Sequence, residues 1–402
     1  MGDIGESEQT VDDEFQGIGY ALGAVPRFKS IKFINFLSYK DAILEFEDFV
    51  ALVGPNASGK SNAVAAIKLL REIPILGLPT AIARRGGFDQ LRHRSAGRPN
   101  NPGLRLTFVF GNHVESYYEL KLAAVKGKQY RVAHERAEIN VGGLPWSFES
   151  DGRRAVSKNG GMQHEPGAGQ EQSFPVGPGQ SALSNGGLAG YVVGQALQRM
   201  QTVEVNPVRV GELQEPSSIR EFEPDGSNTT SIWENLPAAD RNELLDELAG
   251  IVPGITRIEV RNLADRQTLA FVQDTLSGNR EFFAKQMSDG TLRSFSILLA
   301  MLQPSHPSLL VIEEPEIAIH LGALRTLVDI LKQQSKSSQI AITTHSADIV
   351  DSLPVESLRL VWNDSETSHI SMVAEHSREA VRKGMMTPGE LLRADALDPA
   401  EA

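Results

Sequence analysis

Residues 54–61 read Gly54-Pro55-Asn56-Ala57-Ser58-Gly59-Lys60-Ser61, directly after the apolar run Phe49-Val50-Ala51-Leu52-Val53 and directly before NAVAAIKLLREI. No other segment restricts the fold as much. A five-residue apolar run halted by Gly-Pro is a buried strand, and Val64, Ile67, Leu69, Leu70 and Ile73 then recur at helical spacing. The octet fits GxxxxGKS in the strand–loop–helix context that turns the pattern into a phosphate site. Its glycines let backbone N–H groups turn inward around the β- and γ-phosphates, aided by the positive end of the helix. Lys60 is placed to bridge those phosphates and Ser61 to ligate Mg2+. The nucleotide-binding candidates are therefore Gly54, Pro55, Asn56, Ala57, Ser58, Gly59, Lys60, Ser61 and Asn62.

Three further segments carry chemistry. Ser308-Leu309-Leu310-Val311-Ile312 is an apolar strand that delivers Glu313-Glu314-Pro315-Glu316 at its C-terminal end, where parallel sheets present their ligands. This is a Walker B pattern: Glu313 is expected to hold Mg2+ through water, and Glu314 to polarise the water that attacks the γ-phosphate. The strand Gln339–Thr343 runs into Thr344-His345-Ser346, where a histidine can donate to the γ-phosphate; Lys60, Glu314 and His345 are thus the catalytic candidates. Gln286-Met287-Ser288-Asp289-Gly290-Thr291 precedes an apolar helix, so Ser288 offers a hydroxyl and Gly290 bare backbone N–H groups at a helix N-terminus.

From Ser288 onward helix (291–302), strand (308–312), helix (319–334), strand (339–343) and helix (346–352) alternate, which predicts a parallel α/β sheet. Strand-like runs at 104–110, 117–124 and 129–133 predict an antiparallel flank, and 255–285 reads as more strands. Residues 151–190 hold 10 glycines with Pro166, Pro175 and Pro178, a mixture that reads as a long surface loop without regular elements. Helices are expected at 189–199 and 237–249, the latter capped by Gly250. The expected division is a flexible acidic tail (1–26), a first ATPase lobe (27–135), an insertion with the Gly-rich loop and a helical subdomain (136–254), and a second lobe (255–402).

The order P-loop, Ser-Asp-Gly, Walker B, histidine resembles the SMC/RecF/OLD branch of ABC-like ATPases, and within it the stand-alone bacterial AAA-family ATPases. Phe33–Tyr39 (FINFLSY) is similar to that group's NFxS strand pair and Arg85–Asp89 to its RGGF segment, so the likeness covers roughly residues 28–395. It implies an ABC-type P-loop NTPase head: α/β, with an antiparallel β flank, a central mostly parallel sheet and a short helical insertion. It also implies ATP and Mg2+ as cofactors and an ATP-sandwich homodimer, in which Ser288 and Gly290 meet the γ-phosphate held by the partner's P-loop. Gln90 falls near the place of the Q-loop, and an unrelated surface glutamine fits there equally. Two departures stand out: Glu313 replaces the usual Asp, and Ile319-His320-Leu321 replaces the common LHP, leaving the role of His320 open.

The resemblance implies ATP hydrolysis that drives or gates a DNA-repair or anti-phage-defence activity. The alternative is a nucleotide-gated scaffold that holds a separate toxin or nuclease and turns over little. A transporter subunit is disfavoured by the signature and the insertion. About 200 residues between Gln90 and Ser288 lack sustained heptads, so no long SMC arm is expected, nor room after 380 for a TOPRIM nuclease. A net charge of -12 argues against a nucleic-acid-coating protein, but Arg84, Arg85, Arg92, Arg94, Arg98 and Arg105 could face DNA or RNA phosphates or simply line a solvated face. No apolar run approaches the ~20 residues that span a bilayer, and there are no cysteines. No membrane association and a cytoplasmic location are expected.

Overall fold

The computed structural model describes residues 25–94, 100–111, 114–127, 129–141, 144–158, 171–275 and 278–400. The expected acidic tail falls almost wholly outside them. Strands are numbered along the chain. The first sheet contains β1 (Arg27–Phe36), β2 (Tyr39–Glu45), β4 (Gly103–Val109), β5 (Glu115–Val125), β6 (Gln129–Val141), β7 (Leu144–Ser150), β8 (Arg154–Lys158) and β9 (Glu171–Pro175). The second contains β3 (Phe49–Val53), β10 (Met200–Val203), β14 (Leu309–Glu313), β15 (Gln339–Thr344), β16 (Leu358–Asn363) and β17 (Ser368–Met372). A third is the meander β11 (Ile255–Leu263), β12 (Arg266–Thr275) and β13 (Gly278–Phe283). The longer helices are α1 (Lys60–Leu76), α2 (Gly187–Gln198), α3 (Ala238–Ile251), α4 (Asp289–Leu302) and α5 (Leu321–Gln334).

Chain contacts divide the molecule into two interleaved units. The first takes the described residues up to Glu47, then Asn62–Met200 and Trp362–Ile370; the second takes Asp48–Ser61, Gln201–Val361 and the described residues from Ser371.

The first unit is built on the eight-stranded sheet, order β2-β1-β4-β5-β6-β7-β8-β9, antiparallel at every junction. Phe28, Ile31, Phe33 and Phe36 of β1 are buried; strict alternation holds only from Ile31 to Phe33, with a register shift between Phe28 and Ser30 on one side and the positive φ of Asn35 (48°) on the other. α2 packs on β6 and β7 and buries Val192, Val193, Ala196 and Leu197. Beside it the fully buried Glu135 carboxylate accepts from the Tyr118 hydroxyl (2.8 Å), the Ser181 hydroxyl (2.5 Å) and the Ala182 N–H (2.6 Å). Burial raises its pKa against the pull of those three donors. The expectation of an unstructured 151–190 is corrected here: β8 pairs with β7 and β9 with β8, and α2 starts at Gly187. Glycine and proline lower strand propensity, but cross-strand pairing at a sheet edge overrides it. Residues 159–170 lie outside the described residues.

The second unit carries the predicted alternation of strand and helix. β14, β15, β3 and β16 run parallel to one another, with β3 between β15 and β16. All five residues of β3 are buried, which is why it reads as an unbroken apolar run rather than an alternating one. α3 continues through Gly250 to Ile251 and ends at Val252, so Gly250 is not its cap; a glycine inside a helix costs only about 1 kcal/mol. Segment 201–230 is tied to the end of α4: Gln303 accepts from the Phe222 N–H at 2.7 Å, and Gln201 donates to the Phe222 carbonyl at 2.6 Å. Within it Gln214, buried, donates to the carbonyls of Arg209 and Gly226 and accepts from Thr230.

Candidate functional site

The P-loop leaves the buried end of β3 inside the second unit. At Gly54 a Cβ would stand 2.0 Å from the Val361 carbonyl oxygen, so only glycine lets the loop turn against β16. Ala57 (φ 63°) and Gly59 (φ 122°) hold left-handed backbone, and the chain doubles back before α1 begins at Lys60. The Lys60 ammonium, buried, donates to the carbonyls of Gly54 at 2.7 Å and Pro55 at 2.9 Å. Burial lowers its pKa, and the charges of Glu314 and Glu316 act the other way. Ser58 Oγ is buried without a hydrogen-bond partner, an orphan polar atom inside a loop shaped for an anion. Pro55, Asn56, Ala57 and Ser61 are exposed around it.

β14 ends at Glu313, and Glu314 follows with φ 45°, a region disfavoured for a branched-chain or long side chain and found at functional sites. The strain is held by two bonds from the Glu314 N–H, to the Thr343 carbonyl and the Thr343 hydroxyl, both 3.1 Å. Glu316 turns back toward the end of β15: its Oε1 accepts the Thr344 hydroxyl at 2.7 Å and the His345 N–H at 3.1 Å. His345 Nδ1 lies 3.5 Å from Glu316 and 3.8 Å from Glu314. Sequence reasoning gave Glu316 no role; the third carboxylate of the EEPE run was its only signal.

Ser61, Glu313 and Glu314 line a single cavity of about 600 Å³ with Glu204, Asn206, Asp225, Arg293 and Ile317. A hydroxyl and carboxylates are the hard oxygen donors that suit Mg2+, and the loop above them suits phosphate, so the residues present fit a Mg2+–nucleoside triphosphate. Among the described residues no group of three or more His, Asp and Glu forms a metal site by itself. The expected site omitted Glu204, Asp225 and Arg293, of which only the lone charge inside the apolar run TLRSFSILLAML is visible beforehand.

Ser288 caps α4, its Oγ accepting from the Thr291 N–H at 3.2 Å, and stays exposed. A Cβ on Gly290 would stand 2.3 Å from the Ala318 carbonyl oxygen, so the signature turn sits directly on the loop that follows Glu314. His320 caps α5 through Nδ1, which accepts from the Gly322 N–H at 3.2 Å, and this gives the histidine a structural role at the start of that helix. Asn62, in the first unit, donates its amide to Ser38 Oγ at 2.7 Å. Gln90, also there and exposed, accepts from Arg94 at 3.2 Å. Carboxylates match most of the candidate basic patch: Arg84 and Arg85 share Glu72, Arg92 pairs with Asp89 and Arg105 with Glu119. Arg98 lies outside the described residues. No helix among the described residues is long and apolar enough to cross a membrane.

Comparison with known proteins gives a consistent picture. The family described as "AAA domain, putative AbiEii toxin, Type IV TA system" matches residues 49–351. Structural maintenance of chromosomes protein 1 of Arabidopsis thaliana is 33% identical over 107 residues, which cover 24% of this chain and 8% of that protein. Among solved structures, an SMC head bound to the C-winged helix domain of ScpA matches with a TM-score of 0.55 at 13% identity, over 88% of this chain and 99% of that one. The Pyrococcus furiosus SMC head with an extended coiled coil, bound to the C-terminal domain of ScpA, matches with a TM-score of 0.53 at 12% identity, over 90% and 100%. The fold is that of an ABC-type ATPase head.

Proposed function

The chain belongs to this AAA-domain family, and from that premise we propose that it binds ATP with Mg2+, closes into a homodimer around it and hydrolyses it. The observation that carries the reading is the convergence of Ser61, Glu313 and Glu314 on one cavity at the mouth of the P-loop. Ser61 and Glu313 would hold Mg2+, which supplies charge neutralisation at the phosphates. Lys60 would bind the β- and γ-phosphates, and Glu314 would take a proton from the attacking water, with His345 donating to the γ-phosphate. Ser288 and Gly290 are assigned to the nucleotide of the second copy. On this reading 27–135 and 255–402 are the two lobes and 136–254 the insertion.

The work done by closure is assigned to a protein effector, a toxin or nuclease, in anti-phage defence rather than in coating DNA. The family's toxin–antitoxin description and the neutralised Arg84, Arg85, Arg92 and Arg105 support that choice. A cytoplasmic setting follows from it. Two measurements test the reading. Wild-type protein should release phosphate from ATP well above Glu314→Gln, and Glu314→Gln with ATP should sediment as a dimer. Turnover no faster than that of Glu314→Gln favours the nucleotide-gated scaffold instead. Nucleic acid bound tightly at low salt and lost as salt rises would restore DNA or RNA as a partner.

A further inference from the structure

From Thr291 to Leu302 every residue of α4 is buried except Arg293, whose side chain opens into the cavity shared by Ser61, Glu313 and Glu314. It is the only cation among that cavity's lining residues, against four carboxylates: Glu204, Asp225, Glu313 and Glu314. Its Nε is buried, and among the described residues it meets no hydrogen-bond partner. A guanidinium presents five donors in a rigid fork, and a buried donor left unused is costly, so such a group is held for a partner that arrives or moves.

The carboxylates lining the cavity come from different parts of the sequence. Glu314 hangs from the strained turn after β14; Glu204 stands at the start of segment 201–230, where its N–H donates to the Pro224 carbonyl at 2.9 Å. Arg293 feels the negative charge of Asp289, Glu204 and Glu314 together, against a desolvation that lowers its pKa. Asp289 belongs to the signature turn itself, one helical turn before Arg293.

Resting on the ATPase reading above, we propose that Arg293 is a positioning residue for Glu314, and that Glu204 competes for the same guanidinium. When Arg293 pairs with Glu314 the carboxylate is held at the cavity in line with the water; when it pairs with Glu204 that hold is released. The signature helix thus reaches the hydrolytic carboxylate of its own subunit, while its capped N-terminus faces the second copy. Seating of the signature on a partner's nucleotide then bears on Glu314 through one side chain, with no change of fold.

The test uses the full chain and two independent readouts. Without nucleotide, double-mutant cycles of melting temperature with Arg293→Ala against Glu204→Gln and against Glu314→Gln should both be non-additive. With Mg2+ and ATP, Arg293→Ala should lower kcat about tenfold or more at unchanged KM, Arg293→Lys should recover part of it, and Glu204→Gln should raise kcat. In the double variant Arg293→Ala/Glu204→Gln that rise should vanish. Additive cycles, or Glu204→Gln lowering kcat, overturn the proposal. A selective rise in KM for Arg293→Ala also overturns it, by making Arg293 a ground-state nucleotide contact. If wild type turns over no faster than Glu314→Gln while both cycles are coupled, the ATPase reading has failed and the shared guanidinium stands.

Discussion

Glu316 accepts the hydroxyl of Thr344 at 2.7 Å, tying the turn after one parallel strand to the end of its neighbour. The same carboxylate takes the His345 N–H, and its second oxygen is buried without a partner. Its charge also helps keep the Lys60 ammonium protonated. Glu316→Ala should therefore lower unfolding free energy by about 1–3 kcal/mol, the cost of orphaning buried donors. Thr344→Val should cost a similar amount and the pair should be non-additive, as read from urea denaturation of the four proteins.

Lys60→Ala removes the ammonium that bridges the Gly54 and Pro55 carbonyls. A charge-assisted hydrogen bond of about 1.5–3 kcal/mol corresponds to a loss of about tenfold to a hundredfold in ATP affinity. Titration calorimetry in the Glu314→Gln background measures this without turnover. Affinity unchanged by the substitution removes Lys60 from the site.

Gly54 and Gly290 are each pressed against a carbonyl oxygen, at 2.0 and 2.3 Å from where a Cβ would sit. Gly54→Ala should displace the P-loop from β16, and Gly290→Ala should lift the signature turn off Ala318. Each should cost about 1–3 kcal/mol as overpacking. Only Gly54→Ala should abolish ATP binding by the monomer; Gly290→Ala should keep that binding and lose the ATP-dependent dimer, which sedimentation distinguishes.

Glu247 of α3 has its pKa pushed up to about 7, chiefly by burial, with the charge of Glu243 adding to it and a hydrogen bond from Gln334 opposing it. Its folded pKa exceeds the unfolded value, so the native state binds the extra proton. Its contribution to stability is full below pH ~4.5 and is lost as pH rises through about 7. Glu247→Gln should raise the melting temperature at pH 8 relative to wild type and leave it nearly unchanged at pH 5. Parallel melts at the two pH values decide it, and an equal shift at both would remove the carboxylate as the cause.

The P-loop, the Walker B strand and the alternating half of the sheet were legible because each is written in one short stretch: β3 and the octet after it, or β14 and Glu313-Glu314. What escaped reading depends on residues far apart in sequence. Glu316 gains meaning only when β15 brings Thr344 beside it. β8 and β9 escaped because their glycine and proline neighbours mask a pairing that β7 imposes. The wall made by Glu204 and Asp225 escaped because its place at the cavity is fixed by Gln201, Phe222 and Gln303, three residues with no local motif.

β3, the strand that ends in the P-loop, has a consequence for biosynthesis. Its hydrogen-bonding neighbours are β15 and β16, and the first of these starts at Gln339. During translation at roughly 5–20 residues per second, Phe49–Val53 would wait tens of seconds beyond the ribosome as a bare apolar segment. Such a sheet is of high contact order and slow to close. The emerging chain is therefore a natural client for a holding chaperone, and a truncated message that stops before Gln339 would yield a nucleotide loop with no sheet to stand on.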